Sequence, residues 1–243
     1  MIVIPMAGMS SRFFKAGYTQ PKYMLEAHGK TLFEHSVESF KAYYKSKRFL
    51  FIVRDVFNTV DFVKKSAESL GISNFEIVVL DQETRGQAET VTLGLKEISY
   101  QGPITIFNID TFRPCFKYPA LNEVGSGYLE VFCGEGINWS FVKPLNDNSM
   151  QVIQTTEKKP ISDLCCTGLY YFSSIEDYLE AYNDYLTKPK TEWDKAELYV
   201  APLYNHLINK DKKIYYHLIE RKDVIFCGVP DEYTDFLKRG RDV

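Results

Sequence analysis

The sequence predicts an α/β fold, and three observations carry it. Short apolar runs rich in Val, Ile, Leu and Phe recur at about 2–6, 49–54, 75–80 and 103–107. Amphipathic helical stretches lie between them, and a βαβαβαβ order implies a parallel sheet wound with right-handed crossovers. Beyond about residue 110 the pattern changes: runs near 127–133, 138–143, 150–156 and 165–172 follow one another without helices, which predicts antiparallel strands.

Taken in order, the first strand, Ile2-Val3-Ile4-Pro5-Met6, runs straight into a small polar turn. The first helix opens at Thr31, with Glu34 three residues on, the spacing of a capping box. Leu32, Phe33, Val37, Phe40 and Tyr44 then give it an apolar face. A second helix runs from about Asn58 to Leu70 and stops at Gly71, a residue suited to the left-handed end of a helix. A third carries Ala88, Val91, Leu95 and Ile98. Helical stretches are predicted at about 174–187 and 194–209, and short strands at 213–218 and 223–227. Pro230 stands at a first helical position and opens a last helix expected to turn Tyr233, Phe236 and Leu237 inward.

The chain has 243 residues, a length suited to one large α/β domain, and its 45% hydrophobic content can fill a core. Net charge is −3 with acids and bases interspersed. There is no basic block for nucleic acid and no polybasic tail for a membrane, so neither partner is expected. The apolar N-terminal run is too short for a signal peptide or a membrane span. Cys115, Cys133, Cys165, Cys166 and Cys227 are odd in number and form no Cys-x-x-Cys pair. They point to structural thiols in a reducing cytoplasm rather than to disulfides or zinc.

The first strand ends in Met6-Ala7-Gly8-Met9-Ser10-Ser11-Arg12, and Pro21-Lys22 follows. A small, hydroxyl-rich turn at a strand tip exposes backbone N–H groups in a concavity suited to phosphate oxygens. Arg12 adds a planar, bidentate cation and Lys22 a point charge. So much charge matches a nucleoside triphosphate. A dinucleotide fingerprint is not met, because only Gly8 stands where three glycines are needed, and no Gly-Lys-Ser/Thr follows to make a P-loop.

Ala-Gly, Ser-Ser-Arg and Pro-Lys together resemble the signature of the sugar-nucleotide pyrophosphorylase superfamily of nucleotidyltransferases. That signature reads Ala-Gly-x-Gly-Ser/Thr-Arg and then Pro-Lys, with Ser10 here in place of the second glycine. The resemblance implies a Rossmann-like three-layer α/β/α fold (GT-A-like), with a mostly parallel mixed sheet and an antiparallel acceptor-binding part. It implies a single domain over 1–243, with a nucleotide-binding half at 1–110 and an acceptor-binding half at 111–243. It further implies transfer from a nucleoside triphosphate to a phosphorylated small-molecule acceptor, with pyrophosphate released and Mg²⁺ as cofactor. Met6, Ala7, Gly8, Met9, Ser10, Ser11, Arg12 and Lys22 would then bind the nucleotide, and Arg12 and Lys22 would also be catalytic.

Asp110 closes Phe107-Asn108-Ile109-Asp110, just past a buried-type strand, where ligands of open α/β sheets bind. From position alone it reads equally as a Mg²⁺ ligand or as a cap of the following turn; the resemblance assigns it the metal. The superfamily's second metal carboxylate falls on Phe226, two residues before Gly228-Val229-Pro230. Either one carboxylate suffices or a neighbour such as Asp223 substitutes.

The loop Asp81-Gln82-Glu83-Thr84-Arg85-Gly86-Gln87-Ala88 resembles the superfamily's base-recognition loop, which places Asp81, Gln82, Thr84, Gly86 and Ala88 at the nucleotide. It holds no aromatic platform for a purine, and Gly86 with Ala88 leaves a narrow slot. A carboxylate such as Asp81 favours the exocyclic amino donor of cytosine, although a backbone carbonyl would do the same. CTP is therefore expected before UTP.

Glu157-Lys158 followed by Thr167-Gly168-Leu169-Tyr170 resembles the superfamily's Glu-Lys and Thr-Gly-x-Tyr pair. Lys143, Glu157, Lys158, Thr167, Gly168 and Glu197 are the expected acceptor-side residues, with Lys158 meeting the acceptor phosphate as a third catalytic cation. The opening Pro-Met-Ala-Gly and the stretch from Glu197 to Asn205 (Glu-x-Tyr-x-Ala-Pro-x-Tyr-Asn) look most like a capsule-biosynthesis branch. A glycosyltransferase of similar fold would also use a strand-end Asp, but it would not need the Ser-Ser-Arg and Pro-Lys pair. A non-catalytic nucleotide-binding module is the other alternative, with Phe226 in place of a carboxylate as its best support.

Overall fold

A computed structural model of the chain describes residues 1–193 and 196–239. Its elements in order are β1 (Ile2–Pro5), α1 (Ser11–Lys15), β2 (Glu26–Ala27), β3 (Lys30–Thr31), α2 (Leu32–Glu38), β4 (Phe49–Val53), α3 (Thr59–Leu70) and β5 (Phe75–Val79). There follow α4 (Gln87–Lys96), β6 (Ile104–Phe107), β7 (Thr111–Phe112), β8 (Gly127–Cys133), β9 (Ser140–Pro144), β10 (Gln151–Glu157) and β11 (Leu164–Phe172). The chain closes with α5 (Ile175–Thr187), α6 (Tyr204–Asn209), β12 (Ile214–Ile219), β13 (Ile225–Phe226) and α7 (Pro230–Lys238). The fold is α/β with a mixed sheet, as predicted.

Two compact units divide the chain. The first comprises Met1–Val3, Thr84–Phe107 and Lys117–Arg221; the second comprises Ile4–Glu83, Asn108–Phe116 and the described residues from Lys222 on. In the first unit, Ile2 and Val3 pair in parallel with β6, and β6 pairs antiparallel with β11. The strands then run β11, β8, β12, β10, β9, with β8 and β12 parallel and the other neighbours antiparallel. Every residue of β11 is buried, so this strand is covered on both faces. Tyr178 and Tyr204 pack on Phe172 of this strand, and their hydroxyls donate to the Ala88 carbonyl at 2.7 Å and the Tyr171 carbonyl at 2.8 Å.

In the second unit, β4 and β5 are parallel, and the Met6 N–H donates to Ile52 O at 2.8 Å, so the end of β1 follows β4. A cluster of Phe13, Leu25, Leu32, Phe112, Ile225, Cys227, Tyr233 and Phe236 fills the space beneath the turn after β1. The predicted capping box is present: Thr31 N–H donates to Glu34 Oε2 at 2.7 Å, and Glu34 N–H to Thr31 Oγ1 at 3.2 Å. Gly71 ends α3 at φ +79°, as expected of a left-handed cap.

Several element-level readings change. Ser11 and Arg12 open a short helix, α1, where the sequence reads a turn, and Phe40 and Tyr44 lie beyond the end of α2, as Ile98 does beyond α4. Leu237 is 43% exposed rather than inward; Tyr233 and Phe236 define the buried stripe of α7, and Leu237 lies a further 100° around it. The helix predicted over about 194–209 shortens to a 3₁₀ turn at Ala201–Leu203 and α6, its first two residues lying outside the described residues. Pro202 lacks an N–H, so regular helix starts only after it. All five cysteines are free, and burial pushes the Cys165 thiol up to about 11 and Cys166 well above its usual value. Among the described residues no helix is long and apolar enough to cross a membrane.

Candidate active site

In the second unit, the turn after β1 is organised by Ser10. Its backbone is left-handed, φ +50°, a conformation that glycine adopts freely and other residues hold at a cost. Serine here thus holds a backbone conformation to which glycine is better suited. The Ser10 carbonyl accepts from Phe13 N at 2.9 Å, and its hydroxyl accepts from the Lys22 backbone N–H at 3.1 Å. Thus tied to the turn, Lys22 donates from Nζ to Asp110 Oδ2 at 2.5 Å. Both side chains remain about a fifth exposed, at 21% and 22%. Met6 and Ala7 are buried, whereas Gly8, Ser11 and Arg12 are exposed. A Cβ on Gly8 would meet nothing within 4 Å, so this edge of the turn faces open space.

Asp110 also receives the chain after β13. Its carbonyl accepts from Cys227 N at 2.8 Å. A Cβ on Gly228 would lie 3.0 Å from Asp110 Oδ2 and 3.6 Å from Glu232 Oε2, so glycine permits this close passage. Glu232 Oε2 accepts from the N–H groups of Gly228 at 2.8 Å and Val229 at 3.2 Å. Burial, reinforced by the charge of Asp110, holds the Glu232 carboxyl above its usual range despite the pull of those two amides. Phe226 pairs with Thr111, and the Asp223 carbonyl accepts from Arg113 Nη1 at 2.6 Å. The acid that neighbours Asp110 is thus Glu232, which sequence reasoning missed because an acid in the first turn of a Pro-opened helix reads as a helix start. Oxygen donors of this kind suit a hard cation such as Mg²⁺, which takes one or two carboxylates together with substrate phosphates.

Arg54 was also missed. At the end of β4 it donates from Nη1 to Met9 Sδ at 2.9 Å and to Glu83 Oε1 at 3.3 Å, joining the turn to the loop after β5. Its signal was a cation directly after an apolar strand. Asp81 and Gln82 are exposed in that loop.

The rest of the predicted base-recognition loop belongs to the first unit. Thr84 and Thr90 share a hydroxyl–hydroxyl hydrogen bond of 2.7 Å. Leu198 N donates to Arg85 O at 2.9 Å, and Ala88 N donates to Leu198 O at 2.9 Å. Gly86, at φ +148°, lies against the same residue; a Cβ there would stand 2.5 Å from Leu198 O. On the acceptor side, buried Glu157 accepts from Ser140 Oγ, which lies 3.1 Å from Tyr170 OH. Lys158 is left-handed at φ +54°, donates from its backbone to Trp139 O at 2.8 Å, and places Nζ on Tyr199 OH. Thr167 instead bonds Glu130 at 3.0 Å, with Gly168 next to it at φ +94° where the β11–β8 register shifts. Lys143 and Glu197 are exposed and lie outside these hydrogen-bonded groups.

A nucleoside-diphosphate-sugar pyrophosphorylase of Vibrio cholerae RC9 is 66% identical, with a TM-score of 0.96 over 98% of this chain and 100% of that one. A Bacillus anthracis protein assigned as a glucose-1-phosphate thymidylyltransferase has a TM-score of 0.76 at 17% identity, covering 100% of this chain and 95% of its own. The inositol-1-phosphate CTP transferase of T. maritima scores 0.70 at 14% identity, covering 98% and 96%. The latter two share the fold. No protein-family model matches the chain, and no curated protein does.

Proposed function

The chain belongs to the nucleoside-diphosphate-sugar pyrophosphorylase family of nucleotidyltransferases, and on that premise we propose that it joins an NTP, CTP before UTP, to a phosphorylated small acceptor. The observation that carries this reading is the chain of contacts Ser10–Lys22–Asp110, which ties the phosphate turn, a cation and a carboxylate together.

An acceptor phosphate oxygen attacks the α-phosphorus in line with departing pyrophosphate. The acceptor is already an anion at neutral pH, so no general base is needed, and positioning with charge neutralisation does the work. The outer edge of the turn, with Arg12, takes the triphosphate. Lys22 and Asp110 neutralise one another in this structure; with a triphosphate bound, Lys22 would turn to its phosphate oxygens and Asp110 would be left free to hold a divalent cation. When bound, Mg²⁺ supplies charge neutralisation on the phosphates, with Asp110, and Glu232 beside it, as the carboxylates that would hold it. Arg12 and Lys22 stabilise the charge that develops, commonly the largest contribution in such sites. Asp81 or Gln82 reads the base edge, with Thr84, Gly86 and Ala88 along the loop. Lys158 orients the acceptor phosphate, with Lys143, Glu157, Thr167, Gly168 and Glu197 as the other acceptor-side residues.

For the acceptor, the Pro-Met-Ala-Gly opening and the 197–205 stretch favour phosphoglutamine, as in the CTP:phosphoglutamine cytidylyltransferase of capsule biosynthesis. A second reading, a sugar 1-phosphate acceptor, is favoured by the name of the Vibrio cholerae relative. The deciding assay pits CTP, UTP, dTTP, ATP and GTP against one another with phosphoglutamine and sugar 1-phosphates, scored by pyrophosphate release. A base-edge mismatch leaves a buried polar group unpaired at a cost of about 1–3 kcal/mol, so the preference is roughly ten- to hundredfold. Faster turnover with ATP or GTP contradicts the pyrimidine reading. Turnover only with sugar phosphates removes phosphoglutamine and leaves the class standing.

A further inference from the structure

Lys158 is held from three sides within the first unit. Its backbone is left-handed at φ +54°, a conformation that a lysine keeps only when its surroundings impose it. Its N–H is fixed to Trp139 O at 2.8 Å. Its ammonium lies 4.5 Å from the centroid of the Tyr199 ring and donates to the Tyr199 hydroxyl. An ammonium has three donors, and a ring face with one hydroxyl leaves capacity for an anion.

Tyr199 is itself fixed by its neighbour. Leu198 exchanges backbone hydrogen bonds with Arg85 and Ala88, and Gly86 admits the Leu198 carbonyl only because it has no Cβ. The ring that seats the lysine is therefore attached to the loop expected to read the base.

We propose that Tyr199 is a positioning residue: it holds the Lys158 ammonium, by ring face and hydroxyl, ready for a phosphate monoester. The inference rests on the nucleotidyl-transfer reading for what arrives at Lys158. Two substitutions separate the two contacts. Tyr199→Phe keeps the ring and loses the hydroxyl; Tyr199→Leu loses both. The acceptor KM rises in the order parent, Phe, Leu, by about three- to tenfold at the end of the series, while the triphosphate KM holds. In a Lys158→Met background, Tyr199→Leu adds nothing further. An unchanged acceptor KM in Tyr199→Leu, or an equal rise with Lys158 already removed, overturns the proposal.

A second measurement needs no turnover. Acylation of Lys158, followed by peptide mass spectrometry, is faster in Tyr199→Leu than in the parent, and inorganic phosphate slows it in the parent. Lys65, exposed on α3 and outside the proposed site, serves as the internal reference. Equal labelling of Lys158 in parent and variant overturns the proposal. If no triphosphate and acceptor pair releases pyrophosphate while labelling still responds to Tyr199, the positioning stands and the reaction reading fails.

Discussion

Ser10 holds a left-handed backbone at a cost of roughly 1–2 kcal/mol and recovers part of it through the hydrogen bond from Lys22, worth about 1 kcal/mol. Ser10→Ala keeps the cost and loses the bond, whereas Ser10→Gly removes both. Thermal melts should therefore rank the glycine variant above the alanine variant, and the reverse order would deny strain at this turn. The neighbouring charges yield a second expectation. Lys22→Ala and Arg12→Ala each lower turnover by about a hundredfold or more with the melting temperature near that of the parent, since Arg12 is exposed on α1, Lys22 opens a 3₁₀ turn with its side chain partly exposed, and neither is in the core. Asp110→Asn keeps the shape but removes the charge that a hard cation prefers, so it shifts the Mg²⁺ requirement upward. A metal titration identical to the parent's would leave Asp110 as a cap of its turn. Gly8 and Asp110 could be singled out from sequence because each follows a strand end, and Arg12 and Lys22 because they complete a recognisable local pattern around Gly8. Arg54 and Tyr199 could not, because their partners Met9 and Lys158 are distant in the chain; Glu232 could not, because its bonds to Gly228 and Val229 are local and read as a helix start, while Asp110 lies far from it in sequence.

At the scale of elements, local chemistry was the most legible. The Thr31–Glu34 capping box and the Gly71 cap are set by residues a few positions apart, and both form where the sequence placed them. The stretch before α6 was not legible, because its conformation answers to Leu198 packing on the Arg85–Ala88 loop rather than to its own periodicity. Helix α2 carries a titratable consequence. His35 lies on α2, donates from Nε2 to the Ala27 carbonyl at 2.8 Å and packs against Phe112 and Phe236. Burial lowers its pKa below the ordinary value near 6.5. The unfolded chain then binds the proton first as pH falls, so stability from His35 is full above about pH 6.5 and declines below it. The difference in melting temperature between the parent and His35→Gln should narrow between about pH 7.5 and pH 5.5; a widening gap would reverse the sign of the shift.

Over the whole molecule, strand–helix alternation and the switch to consecutive strands were enough to anticipate an α/β fold with a mixed sheet. The division into two units was not legible, because each gathers separated stretches of chain and no linker marks the crossings. The central claim is that nucleotidyl transfer occurs by attack at the α-phosphorus. It is tested most directly by following label from CTP or UTP carrying ³²P at the α or the γ position, in the presence of phosphoglutamine or a sugar 1-phosphate. The account predicts α-label in the acceptor product and γ-label only in pyrophosphate. Transfer of γ-label to the acceptor, or bound triphosphate that is never cleaved, would contradict it.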